Sequence, residues 1–465
     1  MSGVIEYPIT DHFPIFYIFS NNDILPKKII TFRNINRTTI NNFISSIQNK
    51  DFNNVYEYDE PNNAFQYFYD QLYKIYDSSF KIKTKTFKIN VNKDPWITPN
   101  IRKCIRKKYY MYNLLKRGLI TRRIFNIYKN MLSWLIKKKR LFYLNSKFTI
   151  NMNDSKKTWK NINDLLKRNK TSKTIKLFDN GEYLVGNDMT NKFNYFFTNI
   201  GSNLIQNVSS DSDNNRLNYT NNVQSSCFLY PANIVEVSEI LTTLPNKGNP
   251  LFCILPKILI SIKEKILPIL TFLFNFCFLR GTYPDCLKIA RVVPIYKSGS
   301  TQNVGNYRPI SNLDPINKIF ELIVYNRLNQ FITANNILSV HQYGFRLKSS
   351  TSLAIFNLLS DFILTINKKY YTIALFIDLR KAFDLVDRKI LIDKLSSCGI
   401  RGIVKQLINS YLTNRKQFVN VGDYRSDILN INLGVPQGSV LGPLLFNLFI
   451  NDIVNLPLCK KNFIC

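Results

Sequence analysis

The sequence contains few acidic residues and almost no histidine. Of its 465 residues, 31 are Asp or Glu and two are His, whereas 63 are Lys or Arg, which gives a formal net charge of +32. A charge of this size exceeds what solubility requires, and the self-repulsion within the chain calls for a polyanionic partner. We therefore expect a nucleic acid as the partner, and the alternative is a basic protein of the membrane surface.

Long apolar runs and paired cysteines are lacking as well. The longest apolar run, Ile266–Leu279, falls short of the ~18 residues that a membrane-spanning helix needs. The eight cysteines include no CxxC pair and no histidine stands near them, and residues 1–16 lack the features of a signal peptide. We expect no membrane span, no zinc site and no disulfide framework, and an intracellular protein of the nucleus, the cytoplasm or both.

One segment concentrates the positive charge. Between Ile101 and Arg140 there are fourteen Lys or Arg and no acid, with aromatic residues interleaved at spacings that predict long helices. One face of such helices would bind phosphates, and the alternative is a solvated basic face that covers a core. The absence of balancing acids favours binding. The residues that we expect to bind nucleic acid are Arg102, Lys103, Arg106, Lys107, Lys137, Lys138, Lys139 and Arg140.

The pattern of apolar residues predicts several elements downstream of this segment. Met189–Ile205 carries its aromatic residues on one side and is predicted to be a helix. Residues 201–224 are rich in Ser, Asn and Asp and are expected to form a flexible connector. Apolar helices are predicted near Val235–Leu244 and Ile254–Leu279, followed by a short strand, Ala290–Tyr296, in a region where strands and helices alternate.

The segment Tyr371–Asp387 (YTIALFIDLRKAFDLVD) is the most informative. Thr372–Ile377 is an apolar run of strand length, typical of a strand buried on both faces, and Asp378 stands at its carboxyl end. A carboxylate in such a place needs compensation, which a bound divalent cation supplies. The alternative is that Asp378 caps the following helix.

Three more residues of this segment require an interpretation. Phe383 is expected beneath the same strand end, where its ring would exclude the 2′-hydroxyl of a ribonucleotide. A core aromatic on a helix is the alternative. Asp384 and Asp387 are interpreted as helix-start or surface acids with a structural role.

A second motif, Gly434–Ser439 (GVPQGS), precedes a helix with a broad apolar face. Its glycines allow the backbone to approach a ligand and leave the Gln437 amide free to bind it. The alternative is an ordinary helix entry with Ser439 as N-cap. Lys297 and Arg308 are candidates to bind a triphosphate, or else are surface charges.

The order and spacing of five blocks resemble the reverse transcriptase domain of non-LTR (LINE, jockey-like) retrotransposons. The blocks are ARVVPIYKSGS, NYRPISNL, HQYGFR, LFIDLRKAFDLVD and GVPQGSVLGPLLFNLFIND. The resemblance implies an RNA-directed DNA polymerase that uses an RNA template, a DNA primer and deoxynucleoside triphosphates. It implies two-metal nucleotidyl transfer with Asp378 as catalytic residue and Mg²⁺ ligand. It assigns substrate binding to Lys297, Arg308, Arg346, Phe383, Gln437 and Gly438.

The resemblance also implies an architecture. DPWITPNIRKCIRKK and NKFNYFFTNIG are similar to the segment before the polymerase in jockey-like elements, and ITDHFP, with Asp11 and His12, to the end of their apurinic-type endonuclease. The expected fold class is α+β, a right-hand polymerase with fingers and truncated palm preceded by a basic, mainly helical segment. The expected domains are an endonuclease remnant (1–20), a basic helical linker region (21–230), fingers (231–345) and palm (346–465).

The sequence departs from the family in two places. Asn246–Pro250 lacks the acid of the family's usual run, and Asn462–Cys465 resembles only the start of the strand that leads to the family's aromatic-Ala-Asp-Asp motif. We therefore expect Asp378 to be the only side-chain ligand of an incomplete metal site, and little or no polymerase activity. The alternatives are a non-catalytic RNA- or DNA-binding remnant of a degraded mobile element and a relic that retains no role.

Overall fold

The computed structural model describes residues 2–4, 15–17, 27–88, 94–152, 154–166, 175–179, 181–205 and 223–455. The chain divides into two compact units: the helical unit, residues 1–30 and 84–174, and the core unit, residues 31–83 and 175–465. The block with Asp11 and His12, most of the expected connector 201–224 and residues 462–465 lie outside the described residues.

The elements follow one another along the chain with both helices and strands in the core unit, in agreement with a mixed fold of helix and sheet. The strands are β1 (Ser2–Val4), β2 (Ile15–Tyr17), β3 (Lys27–Arg33), β4 (Ile82–Lys88), β5 (Leu177–Asp179), β6 (Glu182–Leu184), β7 (Ile289–Tyr296), β8 (Tyr307–Asn312), β9 (Arg415–Val421), β10 (Tyr424–Arg425) and β11 (Leu429–Ile431). The helices are α1 (Arg37–Gln48), α2 (Pro61–Ser79), α3 (Pro99–Lys116), α4 (Arg122–Ile150), α5 (Ser155–Leu165), α6 (Gly186–Ile205), α7 (Ile234–Thr243), α8 (Pro256–Ser261), α9 (Lys263–Arg280), α10 (Pro315–Ala334), α11 (Thr351–Asn367), α12 (Arg388–Ser397), α13 (Gly402–Leu412) and α14 (Leu441–Ile450).

In the helical unit, the predicted long basic helices are confirmed as α3 and α4. The Thr98 side chain accepts a hydrogen bond from Ile101 N at the start of α3 (3.4 Å), as a helix-capping residue does. Ile101 of α3 and Leu132 of α4 are buried, and the Tyr128 hydroxyl of α4 donates to Cys104 O of α3 (3.2 Å). The two helices therefore bury one face each and leave the others exposed.

The sheet of the core unit is built on β7. This strand pairs antiparallel with β8 and parallel with β9, which in turn pairs with β10 and β11. Helix α6 covers one face of the sheet, where aromatic and branched side chains form a small core. The buried members of that core include Phe193 and Phe197 of α6 and Val292, Tyr307 and Val419 of the sheet. The predicted strand Ala290–Tyr296 and helix Met189–Ile205 are confirmed.

Helix α9 forms the centre of the larger core. It is buried along most of its length, and its Phe274 ring stacks on Phe320 of α10 with centroids 4.8 Å apart. A helix surrounded in this way needs apolar residues on all sides. The predicted single helix Ile254–Leu279 is wrong in its first part, because Pro256 begins a separate short helix, α8, and the residue before a proline is disfavoured in a helix.

Helices α1 and α2 belong to this same core. Phe65 and Phe68 of α2 are fully buried, the Phe65 ring lies 6.1 Å from that of Phe274, and the Tyr76 hydroxyl donates to Pro250 O (2.9 Å). Residues 31–83 thus pack with residues 175–465 instead of forming part of a linker over 21–230. The reason is the aromatic stripe of α2, which can be buried only against another apolar surface.

Replacing one buried side chain of α2 by alanine tests whether the helix belongs to the core unit. We expect Phe65→Ala to lower the free energy of unfolding of the core unit by about 3–5 kcal/mol, because it removes a fully buried ring from a packed core. Urea unfolding followed by circular dichroism measures the change. Gln66→Ala, on the exposed side of the same helix, is the control and should change the midpoint little. Equal midpoints for both variants would show that α2 is separable from the core.

Candidate functional site

The Pro-Gln loop, residues 434–439, lies against the turn at residues 380–385. Gly434 N donates to Val386 O (2.9 Å) and Val435 N to Phe383 O (2.9 Å). On its other side the loop is tied to β8, because Ser311 N donates to Gln437 O (2.8 Å). The two motifs singled out from the sequence are therefore joined by backbone hydrogen bonds.

A side-chain hydrogen bond also joins the loop and the turn. Gln437 Nε2 donates to Asp384 Oδ1 (3.0 Å), while the buried Asp384 Oδ2 has no hydrogen-bond partner among the residues that the structure describes. Burial raises the pKa of Asp384 to about 6, against the opposing effects of Lys381 and of the Gln437 amide. The interpretation of Asp384 as a surface or helix-start acid is therefore wrong, because the Pro-Gln loop covers its carboxylate. The spacing of residues in the sequence did not indicate this contact.

Asp387 fulfils the helix-start prediction. Its carboxylate accepts hydrogen bonds from Lys389 N (2.8 Å) and Ile390 N (3.1 Å) at the beginning of α12. It thereby satisfies backbone donors that have no partner within the helix. Helix α12, which follows the turn, is thus capped at its N-terminus by Asp387.

Two arginines lie beside the loop, Arg388 half-buried and Arg415 buried. Arg388 donates to the carbonyl oxygens of Gly434 (3.0 Å), Ile431 (2.9 Å) and Leu433 (3.1 Å). Burial lowers the pKa of Arg388 to about 10, with Arg415 adding to the effect. Both arginines and Asp384 line a cavity of about 40 Å³, whose polar lining and size suit a few ordered waters.

Glu321 of α10 holds the end of the loop. Its carboxylate accepts hydrogen bonds from Val440 N (2.5 Å) and the Tyr411 hydroxyl (3.0 Å). Burial raises the pKa of Glu321, and the nearby Arg415 guanidinium opposes that rise. Ser439, predicted as a possible N-cap, accepts from Gly442 N through its hydroxyl (3.0 Å), so the entry to α14 is fixed by two side chains.

Four cations gather beside the turn. The pKa of Lys381 is lowered, first by burial and then by Lys297, Arg380 and Arg308, against the opposing effect of Asp384. Lys297 and Arg308 are exposed and lie at the paired ends of β7 and β8, where Lys297 N donates to Asn306 O (2.8 Å). The structure thus brings the two predicted cations together and adds Arg380 and Lys381, which the sequence interpretation missed although they stand beside Asp378.

The other predicted binding residues lie around the turn and the loop. The half-buried Phe383 ring stacks on Phe446 (4.8 Å between centroids) and meets Phe345 edge-on (5.7 Å). The Arg346 guanidinium donates through Nη1 to Ser339 O (2.9 Å). Gly438 is exposed at a φ of 100°, so its backbone is open to solvent beside Gln437.

Asp378 lies on an exposed segment. Residues 371–379 belong to no helix or strand and pair with no strand in the described part of the chain, and Ile373 and Phe376 are 95% and 81% exposed. The prediction of a strand buried on both faces is wrong for this structure, because an apolar run shows what a segment can bury but not which neighbour covers it. Within the described ranges no group of three or more His, Cys, Asp or Glu is placed to hold a metal.

In the helical unit, all eight basic residues predicted to bind nucleic acid are exposed. They lie on α3 and α4, in a stretch of sequence without acids. Of the helices in the described residues, none is long and apolar enough to cross a membrane.

Comparisons with known proteins identify the core of this arrangement. The family described as "Reverse transcriptase (RNA-dependent DNA polymerase)" matches residues 295–465, which include the Pro-Gln loop, the turn and the four cations. This part of the chain, residues 295–465, is therefore similar to reverse transcriptases.

Three similar proteins come from Drosophila melanogaster. The chain is 33% identical over 236 residues to the "Probable RNA-directed DNA polymerase from transposon BS", which covers 50% of this chain and 26% of that protein. It is 32% identical to the polymerase from mobile element jockey (50% and 25% covered) and 30% to the probable polymerase from transposon X-element (47% and 24%). The matched part therefore spans about a quarter of the length of each relative. The alignments are longer than the family match and so extend upstream of it.

The contact between loop and turn can be tested at Gly434. A Cβ there would stand 2.6 Å from Phe383 O and 2.9 Å from Asp384 Cα, and the φ is 75°. We expect Gly434→Ala to destabilise the domain by about 3 kcal/mol or more, of which roughly 1 kcal/mol is backbone strain.

Gly422 provides the matched control. Its φ is 63° and a Cβ would meet nothing within 4 Å, so Gly422→Ala carries the strain without the clash. Urea midpoints measured by circular dichroism compare the two variants. If Gly434→Ala lost no more stability than Gly422→Ala, the loop would not be in close contact with the turn.

The raised pKa of Asp384 predicts a pH dependence. Because the folded protein binds this proton more tightly than the unfolded chain, Asp384 favours folding below its folded pKa of about 6 and loses that contribution as the pH rises through 6. Asp384→Asn should therefore raise the free energy of unfolding at pH 7.5 by ~1–3 kcal/mol and reduce the slope of stability between pH 4 and 7.

Asp387→Asn serves as the control for this experiment, since asparagine caps a helix about as well as aspartate. Unfolding at a series of pH values gives both stability profiles. If the profile of Asp384→Asn ran parallel to that of the parent protein, the carboxyl group would be solvated and not buried beneath the loop.

Proposed function

We propose that this chain is the reverse transcriptase part of a non-LTR retrotransposon protein, and that the whole protein extends a DNA primer along an RNA template with deoxynucleoside triphosphates. The observation that carries the proposal is the meeting of the Pro-Gln loop, the turn at 380–385 and four cations in one place. A triphosphate carries several negative charges, and clustered Lys and Arg side chains are suited to bind it. Lys297, Arg308, Arg380 and Lys381 would bind it together.

The nucleoside would lie over the turn and the loop. The Gln437 amide is oriented by Asp384, and the exposed backbone of Gly438 lies beside it. The Phe383 ring, fixed by Phe446, would exclude a 2′-hydroxyl and so select deoxynucleotides. Arg346 keeps further N–H groups for the substrate besides the one that it donates to Ser339 O.

Asp378 would be the catalytic carboxylate. Its exposed oxygens fit Mg²⁺, which proteins hold with one or two carboxylates together with water and substrate phosphates. When bound, two such ions would activate the primer 3′-hydroxyl and stabilise the leaving pyrophosphate. In the described residues Asp378 is the one acid that the proposal assigns to metal, so the protein supplies an incomplete ligand set there.

The exposed apolar run before Asp378 supports a finer assignment to the palm of a right-hand polymerase. Six consecutive residues that face solvent form a patch of the kind that another strand covers. We infer that Thr372–Ile377 is a strand of the palm sheet in the active protein. The fingers would then be residues 231–345 and the palm residues 346–465.

Helices α3 and α4 would bind the nucleic acid backbone. Their exposed side chains, Arg102, Lys103, Arg106, Lys107, Lys137, Lys138, Lys139 and Arg140, can each release counterions from a phosphate. With these partners the protein would act inside the cell, in the nucleus, the cytoplasm or both. The second candidate function, a non-catalytic nucleic-acid-binding remnant, is favoured by the single metal-binding carboxylate.

Binding of the next nucleotide tests the proposal directly. On an RNA template with a chain-terminated DNA primer, the matching deoxynucleoside triphosphate and Mg²⁺ should slow dissociation of the complex, whereas a mismatched one should not. Arg308→Ala should weaken the effect of the nucleotide by about tenfold or more, the value of one lost charged hydrogen bond. Gel shift with a heparin challenge measures the dissociation rate.

Lys416→Ala, at an exposed lysine of the same sheet, is the control and should leave this effect unchanged. Primer extension with an ordinary primer then separates the two functions: Mg²⁺-dependent extension abolished in Asp378→Asn indicates the polymerase. Hybrid binding without extension and without any response to the matching nucleotide indicates the binding remnant.

A further inference from the structure

The α3–α4 hairpin, residues 99–150, exposes large aromatic side chains as well as cations. Tyr109 and Tyr110 of α3 are 61% and 63% exposed, and Trp134 and Phe142 of α4 are 58% and 71% exposed. These rings contribute little to the packing of the two helices, which is formed by Ile101, Leu132 and their neighbours. Aromatic surface left in water at four positions on one hairpin indicates a binding function.

On α4 the exposed rings and a cation form a row. Trp134, Lys138 and Phe142 follow at intervals of four residues and so lie on one side of the helix. The Lys138 ammonium lies 4.6 Å from the centroid of the Trp134 ring, and the Lys139 ammonium lies 5.9 Å from that of Phe142. On α3, Lys108 is placed similarly over Tyr109 (5.2 Å). Three of the four rings thus have a positive charge beside them.

We propose that the α3–α4 hairpin binds single-stranded nucleic acid, with unpaired bases stacked on Tyr109, Tyr110, Trp134 and Phe142 and with the phosphates on the adjacent Lys and Arg side chains. This deepens the nucleic-acid binding assigned to these helices under the proposed function and rests on it. Bases of a duplex are stacked on one another and cannot reach the rings, whereas every unpaired base has a free face.

The composition of the surface distinguishes this partner from a duplex. A purely electrostatic site needs cations alone, because the attraction to phosphates does not depend on the bases. Residues 101–150 contain no acid, so charge alone would suffice for that task and the rings would be superfluous. Alternation of rings and cations is the arrangement found where a strand is bound through both its bases and its backbone.

Trp134 allows the contact to be observed directly. The chain has three tryptophans, Trp96, Trp134 and Trp159, so Trp96→Phe with Trp159→Phe leaves Trp134 as the only one. We expect oligouridylate RNA to quench its fluorescence saturably, because a stacked base lies on the indole ring. A blunt RNA duplex of equal length should quench it little at the same occupancy, which fluorescence anisotropy of the labelled RNA determines.

Affinities of variants in the full chain provide the second measurement. Trp134→Ala with Phe142→Ala should weaken binding of the single strand about tenfold or more, at an unchanged slope of affinity against salt concentration, and should leave duplex binding unchanged. Lys138→Ala should reduce that slope by about one for both RNAs. Trp159→Ala removes an exposed tryptophan outside the hairpin and serves as the control, and circular dichroism verifies folding.

The outcomes separate the two levels of the proposal. If both RNAs bind and quench equally, the stacking inference fails while nucleic-acid binding by α3 and α4 stands. If neither RNA binds, both fail. Basic and aromatic residues together also suit the surface of an anionic membrane, so vesicles of phosphatidylcholine and phosphatidylserine are tested as well. Quenching of Trp134 by vesicles but not by oligouridylate would overturn the inference in favour of membrane binding.

Discussion

The backbone contact between the Pro-Gln loop and the turn at 380–385 determines the rest of the site. Val435 N donates to Phe383 O of the turn, and Gly434 N donates to Val386 O directly after it. The two segments are so close that a Cβ at residue 434 would stand 2.6 Å from Phe383 O. Because main-chain hydrogen bonds hold the two segments together, the Gln437 side chain reaches Asp384 of the turn, next to Phe383. A site built on backbone hydrogen bonds is fixed before any substrate arrives, which lowers the cost of binding.

Buried charge is the second constraint on this region. Among the described residues no carboxylate lies at hydrogen-bond distance from Arg388, which instead donates to three carbonyl oxygens of the segment that it positions. Glu321 is stabilised first by the charge of Arg415 and then by backbone and hydroxyl donors. Removal of one such ion would leave those dipoles unpaired, so the charges specify the conformation of the loop more than they add stability.

Local pattern predicted much of the fold but not the contacts between distant segments. The strand β7, the helix α6, the basic helices α3 and α4 and the helix start at Asp387 all follow from periodicity or capping, which act over a few residues. Burial of Asp384 and exposure of Thr372–Ile377 depend on segments far away in the sequence, so they could not be deduced from spacing. Lys297 and Arg308 were expected from the sequence as candidates to bind one triphosphate, whereas the contribution of Lys381 required the structure.

The candidate site has a nucleotide-binding part and a catalytic part, and the described structure holds the first more firmly than the second. The half that would bind the nucleotide is fixed entirely by contacts among described residues: the loop, the turn, the paired ends of β7 and β8 and the Phe383 stack. The half that would carry out the chemistry depends on Asp378, which sits on an apolar segment without a neighbouring strand in the described part of the chain. A carboxylate on an unpaired segment cannot be held at a fixed distance from the triphosphate. For Asp378 to act as proposed, Thr372–Ile377 must be paired, since only then would its carboxylate be held at a fixed distance from the groups proposed to bind the nucleotide.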